Sequence, residues 1–239
     1  MSGHSKWSTI KRKKGAADAK RGAAFTRLSK DITLASREGG GVIDMNPALR
    51  LAVKKAKSAN MPSANIDRAI KKGTGDLPGI NYEDFEYEGY GPHSVAILIE
   101  VMTDNKNRTL PEIRSLMTKN GGSLGESGCV NWMFEKKGIF TIQTNNIDED
   151  SLMELLENSN IEDIIFDDSI FEIIVLSDDF KSVSTIFDNN NIDYDGEISL
   201  VPQNFIQLSL DEADKVIKLL ELIENHDDVQ KVHTNFQIK

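Results

Sequence analysis

The chain has 239 residues, of which 39% are hydrophobic and 28% charged, a globular composition long enough for two or three small domains. Its single cysteine, Cys129, excludes an internal disulfide, and its four histidines show no metal-ligand spacing. No apolar run approaches the roughly 18 residues of a membrane-spanning helix. The sequence therefore predicts no cofactor, no metal and no membrane partner.

Charge is divided unevenly along the chain. Residues 1–72 hold 17 Lys and Arg against 5 Asp and Glu, whereas residues 73–239 hold 11 against 33. The net charge of −10 thus combines a segment of +12 with one of −22. Such a basic segment favours a polyanion partner, and we interpret it as nucleic-acid binding rather than as a face that only aids solubility.

Periodicity in the basic segment predicts three helices. The first covers roughly residues 17–37 and ends at Gly39–Gly41, with its apolar residues and its cations on different faces. Asn46–Pro47 begins the second, because Asn is a good N-cap and Pro fits the first helical position. Pro62–Ser63 begins the third, and Gly73 is expected to end it.

The basic tract before these helices, residues 6–15, has no apolar periodicity. We expect it to stay mobile until a partner orders it. Trp7 lies among its cations, a pattern equally consistent with stacking on a base and with docking on the helices. Lys71 and Lys72 fall in the last turn of the third helix, where they also stabilise its dipole, so they carry less functional weight.

Residues 79–239 alternate strands and helices. The first part is expected to contain a strand at 94–102, a polar loop at 104–108, a helix at 110–119 and a strand at 130–134. Residues 138–201 follow the order β-α-β-β-α-β, which is typical of a ferredoxin-like domain. A closing strand–helix–strand unit needs partners for its sheet edges, and strands from 94–134 would supply them.

The predicted fold class is α+β: an N-terminal three-helix domain followed by two α/β domains, one ferredoxin-like and inserted in the other. The domain limits that we predict are 1–78 for the helices, 79–137 plus 202–239 for the discontinuous domain, and 138–201 for the insertion.

No segment predicts an enzyme. The glycine-rich stretch 121–128 lacks the Lys-Ser/Thr and the following helix of a phosphate loop, so a turn is expected. His93 has no partner carboxylate evident in the sequence. The loop 105–108 is cationic in an otherwise acidic domain. It is equally consistent with an ordinary helix start and with a second contact to a phosphate backbone.

Several motifs together resemble the YebC family. They are Gly3-His-Ser-Lys-Trp7, Ala16-Ala-Asp-Ala-Lys-Arg-Gly22, Asn60-Met-Pro62, Asn65-Ile-Asp-Arg-Ala-Ile-Lys-Lys-Gly73, Tyr87-Glu-Gly-Tyr-Gly-Pro92, Thr103-Asp-Asn-Lys-Asn-Arg-Thr109, Gly121-Gly-Ser-Leu-Gly125 and Asn235-Phe236. The resemblance spans essentially the whole chain. It implies the same three-domain arrangement and a probable transcriptional regulator, related to mitochondrial translational activators of cytochrome oxidase. Because it starts at residue 3, a bacterial-type cytoplasmic protein without a transit peptide is expected.

This sequence departs from the family pattern at three places. Ala23 stands where the family usually has Lys, and Ser63-Ala64 where it commonly has Lys-Asp. His93-Ser94 replaces a glycine-rich stretch. Ala23 and Ser63 are therefore not counted as phosphate contacts.

We expect a nucleic-acid-binding regulator of gene expression. One mechanism is duplex DNA binding in transcription, although no helix-turn-helix with base-reading residues at its start is evident. The alternative is binding to ribosomal RNA on the ribosome, which a mobile basic tail suits. The resemblance implies that such a protein would act on translation and relieve stalls, as some members of the family are described. A scaffold that binds polyanions without selectivity is a third possibility.

The predicted contacts are cations, which position a phosphate backbone without reading sequence. They are Lys6, Lys11, Arg12, Lys13, Lys14, Lys20, Arg21, Arg27, Lys30, Arg50, Lys54, Lys57, Lys106 and Arg108. No small-molecule substrate is predicted, and a monomer is favoured.

Overall fold

The computed structural model of the chain describes residues 21–78, 82–167 and 169–239. Within these ranges the α-helices are α1 (Arg21–Gly39), α2 (Pro47–Ser58), α3 (Ser63–Thr74), α4 (Lys106–Lys119), α5 (Glu149–Leu156), α6 (Phe180–Asn189) and α7 (Leu210–Glu224). The strands are β1 (Glu83–Tyr90), β2 (Ala96–Thr103), β3 (Ser123–Leu124), β4 (Phe134–Gln143), β5 (Ile161–Asp167), β6 (Ile170–Leu176), β7 (Tyr194–Pro202), β8 (Ile206–Leu208), β9 (Val229–Thr234) and β10 (Phe236–Ile238). None of these helices has the length and apolar character needed to cross a membrane.

Helices α1, α2 and α3 share one apolar core, as the sequence predicts. Its buried members include Ile32, Leu49, Val53, Met61, Ile66 and Ala69. Asn46 caps α2 by accepting a hydrogen bond from the Leu49 N–H, while its amide donates to the carbonyls of Ala35 and Gly40. One buried side chain thus fixes where α1 ends and where α2 begins.

The end of α3 differs from the prediction. Gly73 does not stop the helix, which continues to Thr74, and Gly75 takes the left-handed φ of +79°. A Cβ added at Gly73 would lie 2.0 Å from the Ser36 Oγ and 2.3 Å from the Thr33 carbonyl oxygen. At Gly73, α3 therefore lies too close to α1 to leave room for a side chain.

The first four-stranded sheet has the order β3-β1-β2-β9, with antiparallel neighbours. The pairing of β2 with β9, for example Ile97 with Thr234, joins the two parts of the discontinuous domain as expected. Helices α4 and α7 contribute to its core through Ile113, Met117, Val216 and Leu220.

Three expectations in this region were wrong. β1 was not predicted, because its sequence carries four acidic residues in eight. Residues 130–134 do not form a strand; a 3-10 turn covers Asn131–Met133 and β4 starts at Phe134. Helix α4 starts at Lys106 rather than at residue 110, because Asn105 caps it by accepting a hydrogen bond from the Arg108 N–H.

The second four-stranded sheet has the order β5-β6-β4-β7, and all its neighbours are antiparallel. With α5 after β4 and α6 after β6, this is the ferredoxin-like topology, and the predicted fold class is confirmed. Phe140 lies at the centre of its core, with its ring 4.6 Å from that of Phe180 and 5.3 Å from that of Phe187.

Two further contacts join the three parts of the molecule. Strands β4 and β7 remain paired as far as Phe134 and Pro202, so the insertion is reached through a two-stranded ribbon rather than a loose linker. Leu51 of α2 is buried in the core of the ferredoxin-like domain, so the three helices pack against that domain.

Candidate nucleic-acid interface

Half of the predicted phosphate contacts belong to the first residues of the chain. Lys6, Lys11, Arg12, Lys13, Lys14 and Lys20 lie outside the described residues, and for Arg21 only the backbone is described, as the first residue of α1. Their role stays a prediction. The other seven cations can be placed.

Lys30 is used inside the molecule. Its Nζ donates hydrogen bonds to the carbonyls of Glu224 at 2.9 Å and His226 at 2.8 Å. These carbonyls lie at the C-terminus of α7, where the helix dipole attracts a cation. Lys30 therefore joins α1 to the discontinuous domain, and its ammonium is not directed to a solvent-side phosphate.

The cations of α2 face acidic residues of the ferredoxin-like domain. Arg50 pairs with Asp188, and the Lys54 Nζ lies 2.6 Å from Asp193. Lys55, which the sequence did not single out, lies 3.0 Å from Asp195. The hydrogen bond with Asp193 raises the pKa of Lys54.

These α2 pairs are largely solvated. Lys54 is 63% exposed and Asp193 75% exposed, and exposed pairs of this kind contribute roughly 1 kcal/mol or less to stability. The aspartates therefore hold the α2 cations only weakly, and contact of these cations with phosphate stays a prediction.

Lys106 and Arg108 lie in the first turn of α4 and not in a loop. The Arg108 guanidinium is 2.7 Å from Asp228 and 3.3 Å from Asp104, and the hydrogen bond with Asp228 raises its pKa. The Lys106 Nζ lies 4.4 Å from the centre of the Phe85 ring. These contacts agree with an ordinary helix start in which Arg108 is held by ion pairs and Lys106 lies over an aromatic ring, and the phosphate contact stays a prediction.

Asp228 binds the end of β2 and the first turn of α4, and it was not among the residues predicted from the sequence. Its carboxylate accepts hydrogen bonds from Thr109 at 2.6 Å, Arg108 at 2.7 Å and Thr103 at 3.1 Å. Burial alone would raise its pKa, but these hydrogen bonds outweigh burial and lower it. The donors come from residues more than 100 positions away, so no local pattern could reveal the cluster.

Four cations of the helical part face solvent with no ion pair or hydrogen bond to other described residues: Arg27, Lys57, Arg68 and Lys71.

Arg68 and Lys71 lie on α3 together with Lys72. The Lys72 Nζ is 4.5 Å from the Tyr82 ring centre, and burial lowers the pKa of Lys72. Positions 68, 71 and 72 share the helix face opposite buried Ile66 and Ala69. We call Arg68, Lys71 and Lys72 the α3 cation face.

Comparison with known proteins assigns the chain to a family. Residues 5–76 match the family model of the TACO1/YebC protein N-terminal domain. Residues 82–236 match that of the TACO1/YebC second and third domain. The chain belongs to the TACO1/YebC family.

Relatives in this family are similar over their full length. A probable transcriptional regulatory protein of Desulfatibacillum aliphaticivorans is 51% identical over 239 residues, covering 100% of this chain and 97% of the relative. One of Syntrophus aciditrophicus is 52% identical, covering 100% and 96%. The crystal structure of a conserved hypothetical protein, Aq1575 from Aquifex aeolicus, is 40% identical with a TM-score of 0.79, covering 93% and 92% of the two chains.

Many residues in the TACO1/YebC motifs serve the fold. Asn60 has a left-handed φ of 59° in the turn before α3, and Met61 is buried in the helical core. The Asn235 side chain accepts a hydrogen bond from the Ala96 N–H at 2.8 Å. His93 and Ser94 have left-handed φ of 60° and 61°, a conformation that glycine adopts without strain.

The glycine-rich stretch 121–128 leads into a loop that is closed by a carboxylate of the same chain. Buried Glu88 accepts hydrogen bonds from the backbone N–H groups of Gly128 at 2.6 Å and of Val130 and Asn131 at 2.7 Å each. Burial alone would raise the pKa of Glu88, but these donors lower it. Within the stretch, the Gly128 N–H binds the Glu88 carboxylate, and the N–H groups of Gly121, Gly122 and Gly125 bind backbone carbonyls, which supports the turn interpretation.

Proposed function

We propose that this chain is a cytoplasmic nucleic-acid-binding regulator of gene expression, whose basic N-terminal part contacts the phosphate backbone. The separation of charge carries the proposal: 17 cations against 5 acidic residues over residues 1–72. Four solvent-facing cations support it: Arg27, Lys57, Arg68 and Lys71. They form no ion pair with other described residues and are therefore available to a partner. The name of the relatives, probable transcriptional regulatory protein, agrees with it.

Duplex DNA is the partner that we place first. Helix α3 follows α2 after the four-residue turn 59–62, and it exposes Asn65 and Arg68 near its start. Asn and Arg are the residue types that read adenine and guanine edges in the major groove. From the sequence alone no such helix-turn-helix is evident, and Lys71 and Lys72 at the end of α3 are explained by the helix dipole.

Ribosomal RNA is the second candidate. Residues 1–20 carry six Lys and Arg against one Asp, with Trp7 and Ile10 between the cations. Basic segments with few apolar residues commonly fold on an RNA surface, where an aromatic ring stacks on an unpaired base.

Co-sedimentation with ribosomes near physiological salt, with excess duplex DNA as competitor, separates these candidates. The variants are K11E/R12E/K13E/K14E and, as a charge-matched control, R114E/K119E/K215E/K218E, whose cations are exposed on α4 and α7. If DNA removes the wild type from ribosomes, the duplex assignment holds. Retention on ribosomes despite the DNA favours the translation role. Equal losses in both variants would contradict a specific role of the basic segment.

A further inference from the structure

The ferredoxin-like domain contains a groove between α5 and β5. Its volume is about 510 Å³, and buried Leu152, Leu156 and Phe171 form part of its floor. β5 is the edge strand of its sheet, so no further strand of the described chain closes this side. The groove therefore opens to solvent along the length of α5.

Two large apolar side chains of this groove are exposed. Met153 on α5 is 54% exposed and Phe166 on β5 is 56% exposed. The Phe166 ring lies 5.5 Å from that of Phe171, so the exposed surface continues into the apolar floor. Contiguous apolar surface of this kind marks interaction sites, because covering it removes apolar area from water.

The groove is bordered by carboxylates. Glu149, Glu157, Glu162 and Asp163 line it, and none of its described lining residues is Lys or Arg. Glu162 pairs with Lys137 at 2.7 Å, which leaves three carboxylates with no ion pair to described residues. Residues 138–201 as a whole contain 16 acidic residues and one lysine, a net charge of −15.

We propose that this groove docks a cationic amphipathic segment of a partner protein. Apolar side chains of the segment would cover Met153 and Phe166, and its lysines or arginines would face the carboxylates. Glu157 lies eight positions after Glu149, which is about 12 Å along the helix. Because the carboxylates are this far apart, several cations spaced along one chain fit them better than a single small ion. A nucleic acid does not fit, because the same carboxylates repel phosphates.

The proposal is tested by fluorescence anisotropy with the full-length chain. The probe is a fluorescein-labelled amphipathic peptide of lysine and leucine, compared with its glutamate–leucine and lysine–serine counterparts. M153S/F166S removes the apolar contact, and L176S/L210S, at exposed leucines outside the groove, is its control. E157Q/D163N removes groove charge, and D178N/D179N, in the same domain but off the groove, is its control. Circular dichroism and thermal melts show whether each variant is folded.

We expect about a ten-fold loss of affinity in M153S/F166S and a several-fold loss with weaker salt dependence in E157Q/D163N, with both controls close to wild type. Equal binding of the lysine–serine peptide, or equal losses in the controls, would overturn the proposal. Competition by a peptide of residues 1–20 at lower concentration would also overturn it, since the occupant would then be this chain's own segment. Binding should be unchanged in K11E/R12E/K13E/K14E, so this result is independent of the proposed function.

Discussion

At the scale of single residues, buried carboxylates fix the loops that surround the sheets. Glu88 and Asp228 each accept three hydrogen bonds, and every donor is at least 40 positions away in sequence. In the sequence both residues look like ordinary acidic positions of an acidic domain. Their partners become visible only when β1 and β9 take their places in one sheet, so sequence reasoning could not find them.

Replacing Glu88 by Gln should lower the free energy of unfolding by about 2–3 kcal/mol at neutral pH, because one amide oxygen cannot serve three backbone donors. The folded pKa of Glu88 lies below its ordinary value of 4.5. The loss should therefore be complete above about pH 4.5 and shrink as the pH falls through the folded pKa. Urea unfolding at several pH values measures it, with exposed Glu86→Gln as control. A loss independent of pH would contradict this role.

At the scale of elements, the close packing of one helix against another can decide the role of a residue more strongly than its own helix propensity. The sequence correctly predicted where α2 begins and that α1 stops at its glycines, since capping residues act locally. It misread Gly73, because a glycine near a helix end resembles a C-cap whether or not another helix lies against it. The strand β1 was missed for a related reason: its buried Tyr87 and Glu88 are adjacent, which breaks the alternation expected of a strand.

Gly73→Ala discriminates between the two roles of that glycine. Helix propensity alone predicts a gain of about 1 kcal/mol. The contacts of 2.0 and 2.3 Å that a Cβ would make with α1 predict a net loss instead, of about 1–3 kcal/mol for such overpacking. Thermal unfolding gives the sign directly. A stabilised variant would show that α3 and α1 are not in close contact at this point.

The ion pairs of α2 set how strongly its cations are held inside the molecule. The variant D188N/D193N/D195N removes the partners of Arg50, Lys54 and Lys55. We expect it to bind duplex DNA about ten-fold more tightly at low salt. Each exposed ion pair costs duplex binding about 1 kcal/mol or less, because it must be broken before the cation contacts a phosphate. The control D178N/D179N/E154Q removes the same charge away from α2 and should gain far less. Equal gains in both would show a general field effect and leave α2 out of the interface.

At the scale of the whole molecule, the charge separation and the order of domains were predictable, and the contacts between domains were not. The ferredoxin-like order follows from clear periodicity in residues 138–201, and the pairing of β2 with β9 follows from the need to cover sheet edges. Which cations are neutralised depends on packing between distant segments, such as Lys30 against α7. The domain limits given above stay a proposal. Limited proteolysis at 79–81 would test the first of them, whereas residue 137 lies within the paired strand β4 and should resist cleavage.

The central claim is that the basic N-terminal part holds a phosphate backbone, and the salt dependence of binding tests it most directly. Anisotropy of labelled duplex DNA and of ribosomal RNA would be measured from about 50 to 200 mM salt. With six to ten phosphate contacts, wild-type affinity should fall roughly 10³–10⁵-fold across that range.

The slope of log affinity against log salt concentration should become shallower by about three or four in K11E/R12E/K13E/K14E. It should stay unchanged in R114E/K119E/K215E/K218E. An affinity that barely changes with salt, or a slope that changes equally in both variants, would contradict the account.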